Sequence, residues 1–182
     1  MANIDADYCY SFPAIRGIQA GRPFYIATCP MRFIPKIFSF DENDLPPELR
    51  AQRTLNKSRI PEMVRYLLEN PKDYVFSALT ASIAVDVQFE EFQGSNNLGT
   101  LCVPMDAQIL INDGQHRRKA IEDALDARPE LGQDNIPVFF FVDEGLKRSQ
   151  QMFADLNKYA IRPSPSLASL YDHRDASSNL AR

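Results

Sequence analysis

The feature that most constrains this chain is a stretch in which an apolar run stops at a polar tripeptide and a basic segment follows. Residues 109–111 are consecutive branched aliphatic residues, which are typical of a buried β-strand. Asn112 and Asp113 are good helix N-cap residues, and Gly114 lets the backbone turn and approach a ligand closely. Apolar residues then recur at helical spacing, at Ala120, Ile121, Ala124 and Leu125. The stretch therefore predicts a strand, a tight turn and a helix.

A turn of this kind points unpaired backbone N–H groups and the positive end of a helix dipole at one place, which favours an anion, most plausibly phosphate. Arg117, Arg118 and Lys119 add positive charge there. Because arginine at a helix N-terminus is repelled by the positive end of the dipole, its presence there suggests an external anionic ligand. Asp113 supplies a carboxylate, and His116 titrates near neutral pH. The alternative is an ordinary capped turn with a basic first helical turn and no ligand.

Composition limits the kind of nucleic-acid contact. The net charge of −4 and a pI near 5.2 argue against a protein that coats nucleic acid through a global positive field, so a DNA contact must be local. A basic cluster without intervening acids consists of Arg50, Arg53, Lys57 and Arg59. This cluster is either a solvated face or a surface that contacts phosphates.

The cysteines and the first residues of the chain indicate the cellular compartment of the protein. Cys9, Cys29 and Cys102 are odd in number and widely spaced, so we expect neither a disulfide framework nor a structural zinc site. No basic segment followed by an apolar run opens the chain, and no apolar stretch is long enough to cross a bilayer. We therefore expect a cytoplasmic protein without a membrane contact.

The remaining segments predict an α+β (mixed α/β) fold with a small mixed β-sheet flanked by helices. Pro61 falls in the first turn of a helix that begins at Ser58 and ends at Asn70. Unbroken apolarity at 136–142 predicts a strand buried on both faces. The other predicted elements are a hairpin of strands 12–18 and 24–28, a strand at 74–81, an alternating strand at 83–90 and a helix at 144–156.

Asp113-Gly114-Gln115-His116-Arg117, followed by Ala120, resembles the signature of DGQHR-domain proteins. From about residue 12 to residue 174 the chain resembles the DndB family of DNA phosphorothioation (sulfur modification) regulators. The resemblance implies a ParB/sulfiredoxin-like core in residues 1–162, with the N-terminal hairpin included and a nucleotide phosphate held at the turn. Residues 163–182 would form a linker and a short helix. Because DndB-like proteins are generally longer, we expect a further C-terminal region beyond them.

The resemblance also implies roles for individual residues. If the turn is catalytic, the chemistry of the side chains themselves would make three residues catalytic: Asp113 would hold a metal or orient water, His116 would act as general acid or base, and Arg117 would stabilise charge on phosphorus. The phosphate or nucleotide would be bound by Gly114, Gln115, Arg118 and Asn157. Residues 153–157 resemble a segment that accompanies the motif, although Asn157 has the alternative role of capping a helix C-terminus. The DNA-binding residues would be Arg50, Arg53, Lys57 and Arg59.

Two functional hypotheses follow, together with a plainer one. The first is a regulatory DNA-binding protein that binds its own promoter and represses its operon. The second is a nucleoside triphosphatase or DNA-nicking phosphodiesterase that uses the same turn with ATP and Mg²⁺. The third is a scaffold that contacts the other modification proteins of the system and has no active turn.

Overall fold

The structure is a computed structural model and describes residues 8–38, 57–142, 151–152, 154–156 and 158. The strands are β1 (Cys9–Gln19), β2 (Arg22–Pro30), β3 (Leu79–Ile83), β4 (Gln88–Glu91), β5 (Leu98–Pro104), β6 (Ile109–Asp113) and β7 (Asn135–Val142). The α-helices are α1 (Ile34–Ile37), α2 (Ile60–Glu69) and α3 (Gln115–Ala127). Short 3₁₀ turns cover Met31–Phe33, Lys57–Arg59 and Pro129–Gln133.

The strands form one seven-stranded sheet in the order β4-β5-β1-β2-β7-β3-β6. Neighbouring strands are antiparallel, except that β3 and β7 are parallel. Parallel strands require a crossover, and here the chain passes through β4, β5, β6 and α3 between β3 and β7. The predicted fold class, a mixed sheet with flanking helices, is confirmed.

Local patterns predict the hairpin and α2 well. β1 and β2 pair antiparallel around a turn in which Gly21 has a φ of 74°. The second helix runs over Ile60–Glu69 with Pro61 at its start, and Leu67 is completely buried. Arg59, rather than Ser58, stands at the N-cap position.

The strand predicted at 74–81 pairs only from Leu79 onward. Tyr74 and Phe76 lie outside the ladder, where their rings pack against the core. The hydroxyl of Tyr74 donates to Asp134 Oδ2 at 2.5 Å. Burial and this hydrogen bond raise the pKa of Tyr74. The apolar character of this segment therefore reflects packing beside the sheet instead of pairing within it.

The alternation predicted at 83–90 is divided between two strands. β3 ends at Ile83 and β4 covers only Gln88–Glu91, with a bend between them. Val87 and Phe89 still pack against the core. The period of two therefore marks Ile83, Val87 and Phe89 correctly but not Val85, which is exposed in the bend where the backbone leaves the ladder.

The hydrophobic core lies between the sheet and the helices. On β7 every second residue is buried, namely Ile136, Val138 and Phe140, while Phe139 and Phe141 are partly exposed on the opposite face. The predicted burial of both faces is thus confirmed only in part. The outer face instead carries an aromatic row in which Phe24 stacks on both partly exposed phenylalanines, with ring centroids 6.3 and 5.7 Å apart.

The prediction that the cysteines form no disulfide is wrong for one pair. Cys9 and Cys102 are joined by a disulfide with their Cα atoms 5.7 Å apart. β1 and β5 are neighbours, and their register places Ser11 opposite Cys102, so Cys9 approaches from a diagonal position. Among the described cysteines Cys29 is a buried free thiol, and burial raises its pKa to about 12. Within the described residues no helix has the length and apolarity that a membrane span requires.

Candidate functional site

The motif lies at the edge of the sheet, where β6 ends at Asp113 and α3 begins at Gln115. The predicted strand, turn and helix are confirmed. The predicted cap is wrong, because Gly114 occupies the N-cap position and no side chain caps the helix. The α3 ladder starts with the N–H of Arg118, which donates to the carbonyl oxygen of Gly114 at 2.9 Å. The amides of the preceding helical residues point out of the helix end, as at any helix start.

Gly114 is held in a conformation that other residues rarely adopt. Its φ is 101°, in the left-handed region. A Cβ atom at this position would overlap Leu79 Cδ2 and lie 3.0 Å from Arg117 Nη2. The turn therefore requires glycine for both its backbone angle and its space.

Arg117 folds back across the turn and is largely buried. Its Nη2 donates to Asp113 Oδ2 at 2.6 Å and to the carbonyl oxygen of Ala78 at 3.1 Å, and its Nη1 donates to Ser77 Oγ. Its Nε is buried and has no hydrogen-bond partner among the described residues. The guanidinium thus ties the start of α3 to the segment that leads into β3.

Asp113 is the anionic partner of this guanidinium. About half of its side chain, 48%, is exposed, compared with 19% for Arg117. Among the described residues, no three side chains of the types His, Cys, Asp and Glu come together as a metal site would need. In this arrangement a metal at Asp113 would have to compete with the ion pair.

His116 lies beside Arg59 and Arg117. Burial lowers the pKa of His116, the charges of Arg59 and Arg117 lower it further, and Asp113 opposes them. The imidazole is therefore neutral at pH 7. Arg59 is exposed at the N-cap of α2, so the structure brings the last residue of the predicted basic cluster to the motif.

The other basic residues of the motif helix are engaged with the protein itself. Arg118 is buried, and its Nε and Nη2 donate to the carbonyl oxygens of Phe38 and Pro35 at 2.9 and 3.2 Å. Its Nη1 pairs with Glu122 at 2.8 Å. Lys119 pairs with Glu122 and with Asp123, each at 2.8 Å. Because Arg117 is paired with Asp113, the positive charge at the turn comes from Arg59 and the helix start.

Two further motif residues serve the packing beneath the turn. Gln115 is buried, and its Nε2 donates to the carbonyl oxygen of Ile111 at 3.4 Å. Asn112 is completely buried, and its Nδ2 donates to Ser82 Oγ at 2.5 Å and lies 3.1 Å from Met152 Sδ. These contacts connect the motif strand to β3 and to residues 151–152.

Several predicted residues lie outside the described part of the chain. Arg50 and Arg53 of the basic cluster are among them, as is Asn157. Lys57 is described only as part of the 3₁₀ turn that precedes α2. Their predicted contacts with DNA or nucleotide stay predictions, as do the catalytic, metal-binding and phosphate-binding roles of the motif residues.

Sequence reasoning missed the partners that hold the motif in place. Ser77 and Ala78 bind Arg117 from 40 and 39 residues earlier in the chain. Ser82 binds Asn112 from 30 residues earlier. No local pattern around these residues marks them, because their contacts depend on β6 lying next to β3.

Comparison with known proteins identifies the family. Residues 12–182 match the family described as DndB, DNA-sulfur modification-associated. No curated protein and no solved structure matches the chain. The expected likeness to ParB and sulfiredoxin therefore stays a prediction. Since the match extends over nearly the whole chain, this protein belongs to the DndB family, which is associated with DNA sulfur modification.

Proposed function

We propose that this chain is a DNA-binding regulator of a DNA sulfur modification system, which binds its own promoter and represses its operon. The contact with DNA backbone phosphates would lie where the starts of α2 and α3 meet. Membership of the DndB family supports a role in such a system, with DNA and the other modification proteins as partners.

The observation that carries the proposal is that α2 packs against α3, so that the charge of Arg59 at the start of α2 reaches His116. Arg59 is the N-cap residue of α2 and His116 lies in the first turn of α3, so both residues are at the positive end of a helix dipole. The charge of Arg59 acts on the imidazole strongly enough to lower its pKa. A phosphate oxygen at this place would meet the exposed guanidinium of Arg59 and helix-start amides.

The sequence of the segment before α2 supports the same place of contact with DNA. Arg50, Arg53 and Lys57 precede Arg59 closely in the sequence, with no acidic residue among them. Because the protein as a whole is acidic, with a net charge of −4, a local basic surface would restrict DNA to one face. Contacts of this kind position DNA without reading its bases.

The test is a titration of a fluorescein-labelled promoter duplex followed by anisotropy at several salt concentrations. Arg59→Ala should weaken binding on all sequences and reduce the slope of log K against log salt by about 1, because one phosphate contact is lost. Arg65→Ala is the matched control, since Arg65 is an exposed arginine of the same helix. Equal slopes for the wild type and Arg59→Ala would rule out this contact.

The second candidate is a nucleoside triphosphatase or DNA-nicking phosphodiesterase with ATP and Mg²⁺. It is favoured by the neutral His116, which is the form that a general base needs, close to the half-exposed carboxylate of Asp113. In this case His116→Ala and Asp113→Ala should abolish phosphate release or nicking and leave promoter binding nearly intact.

A calorimetric titration with ATP and Mg²⁺, repeated on an Asp113→Ala, Arg117→Ala double variant, separates these proposals. Heat of binding that the double variant loses would support the nucleotide site. If ATP neither binds nor raises the melting temperature, the plainer role as a scaffold for the modification enzymes gains support.

A further inference from the structure

The ion pair between Asp113 and Arg117 leads to an inference about how the proposed site is regulated. We propose that Asp113 is a built-in competitor of the phosphate ligand, and that a phosphate oxygen must displace its carboxylate from Arg117 in order to bind. This inference rests on the proposed function, because it takes the phosphodiester of DNA as the ligand of the turn.

The geometry of the guanidinium supports this exchange. Ser77 Oγ and the carbonyl oxygen of Ala78 accept hydrogen bonds from Arg117, and Asp113 Oδ2 accepts a further one from Nη2 at 2.6 Å. An oxygen of a phosphate group can accept the same hydrogen bond as a carboxylate oxygen does. The contacts with Ser77 Oγ and with the carbonyl oxygen of Ala78 would keep the guanidinium in place while its anionic partner changes.

The exposure of the two side chains indicates which one moves. The Asp113 side chain is 48% exposed and that of Arg117 only 19%. Water can therefore solvate a released carboxylate of Asp113, whereas Arg117 is fixed by its further bonds. The buried Nε of Arg117, which has no partner among the described residues, gives the guanidinium a second donor for a ligand that enters deeper than the carboxylate does.

As long as Asp113 is paired with Arg117, its negative charge weakens the binding of phosphate. Its carboxylate lies at the start of α3, where the helix dipole and Arg59 would otherwise attract an anion. Paired with Arg117, it cancels the positive charge that a phosphate would meet. If Asp113 were only catalytic, its loss would leave the affinity for the duplex nearly unchanged and would abolish the chemical step instead.

The experiment measures the affinity of the whole chain for the labelled promoter duplex and, in parallel, the melting temperature of each variant. Asp113→Asn should bind about fivefold more tightly, as expected when one partly exposed ion pair no longer competes. The same variant should melt at a lower temperature than the wild type, because the bond to Arg117 is weakened. A purely structural Asp113 would lower both affinity and melting temperature.

Asp123→Asn is the matched control for loss of one negative charge. Asp123 lies in the same helix and is ion-paired with Lys119 at 2.8 Å, with 37% of its side chain exposed. We expect its affinity to change less than twofold. An equal gain in both variants would overturn the inference, because general charge would then explain it.

An Asp113→Asn, Arg117→Gln double variant tests whether the gain passes through Arg117. If the freed guanidinium receives the phosphate, the double variant loses the gain, and the two substitutions are not additive. If the gain persists, the exchange is wrong. The melting temperature of each variant is also measured at increasing concentrations of inorganic phosphate. This repeats the comparison of the variants with a ligand that does not need a DNA-binding surface.

The outcomes separate this inference from the proposed function. If the wild type binds the duplex and Arg59→Ala weakens binding, but Asp113→Asn brings no gain, the competitor role fails alone. If Asp113→Asn brings a gain through Arg117 while Arg59→Ala changes nothing, the competitor role stands and the proposed DNA contact at Arg59 fails. If no variant binds the duplex or phosphate, both fail.

Discussion

The side-chain amide of Asn112 donates to Ser82 Oγ at 2.5 Å, and both side chains are buried below the motif turn. The same amide lies 3.1 Å from Met152 Sδ. β6 is the last strand of the sheet and pairs only with β3 among the described strands. This buried polar contact therefore helps to fix the edge strand from which the motif projects.

Replacement of Asn112 by leucine should lower the free energy of unfolding by about 2–3 kcal/mol, because Ser82 then remains buried without its donor. Urea denaturation followed by circular dichroism measures the change. The control is Asn97→Ala, since Asn97 is exposed in the loop between β4 and β5, and we expect less than about 0.5 kcal/mol there. Similar losses in the two variants would contradict a structural role for the Asn112 amide.

Gly114→Ala should destabilise the protein by about 2–4 kcal/mol, through both its left-handed backbone and its lack of space. The added methyl group would overlap Leu79 Cδ2 and press against Arg117. Gly94→Ala separates the two causes, because Gly94 also has a positive φ, 85°, but no atom lies within 4 Å of its added Cβ. That control should lose only about 1 kcal/mol, the cost of the backbone angle. Equal losses in thermal unfolding would mean that space at Gly114 does not matter.

The elements with a clear local pattern are the ones that the sequence predicts correctly. The hairpin, α2 and the strand–turn–helix of the motif each depend on residues within one short stretch, where periodicity and turn chemistry act together. The sharp turn at Gly114 is predictable for the same reason, because the glycine alone indicates it.

Contacts between distant parts of the chain could not be predicted in the same way. The bond from Arg117 to Ala78 and the disulfide of Cys9 with Cys102 span 39 and 93 residues. Each exists because the strand order brings two segments together, and pattern reasoning does not determine that order. For the same reason the sequence does not indicate that Arg118 donates to the carbonyl oxygens of Phe38 and of Pro35 in α1, and its role as a phosphate ligand stays a prediction.

His116 should titrate below its ordinary pKa of 6.5, because burial and the charges of Arg59 and Arg117 disfavour the imidazolium. As the pH falls, the unfolded chain therefore binds the proton first. The stability contributed by the neutral imidazole is fully present above pH 6.5 and is lost as the pH falls through the pKa of the folded protein.

NMR titration of the His116 ring protons measures this pKa directly. Arg59→Ala should raise it toward 6.5, because one of the charges that lower it is removed. Arg65→Ala, on the exposed side of the same helix, should leave it unchanged. A His116 pKa that does not respond to Arg59→Ala would show that the starts of α2 and α3 do not form one electropositive region in solution.

The disulfide between Cys9 and Cys102 should contribute about 3–5 kcal/mol, because it closes a loop over a sequence separation of 93 residues and so restricts the unfolded chain. Reductant should therefore lower the melting temperature of the wild type by about 10 °C, and Cys9→Ser should melt at the lower temperature with or without it. Thiol titration in denaturant gives an independent check. Without reductant only the thiol of Cys29 should react, because the other cysteines are paired. Reaction of all three cysteines would show that the pair is reduced, and the melting temperature should then not respond to reductant.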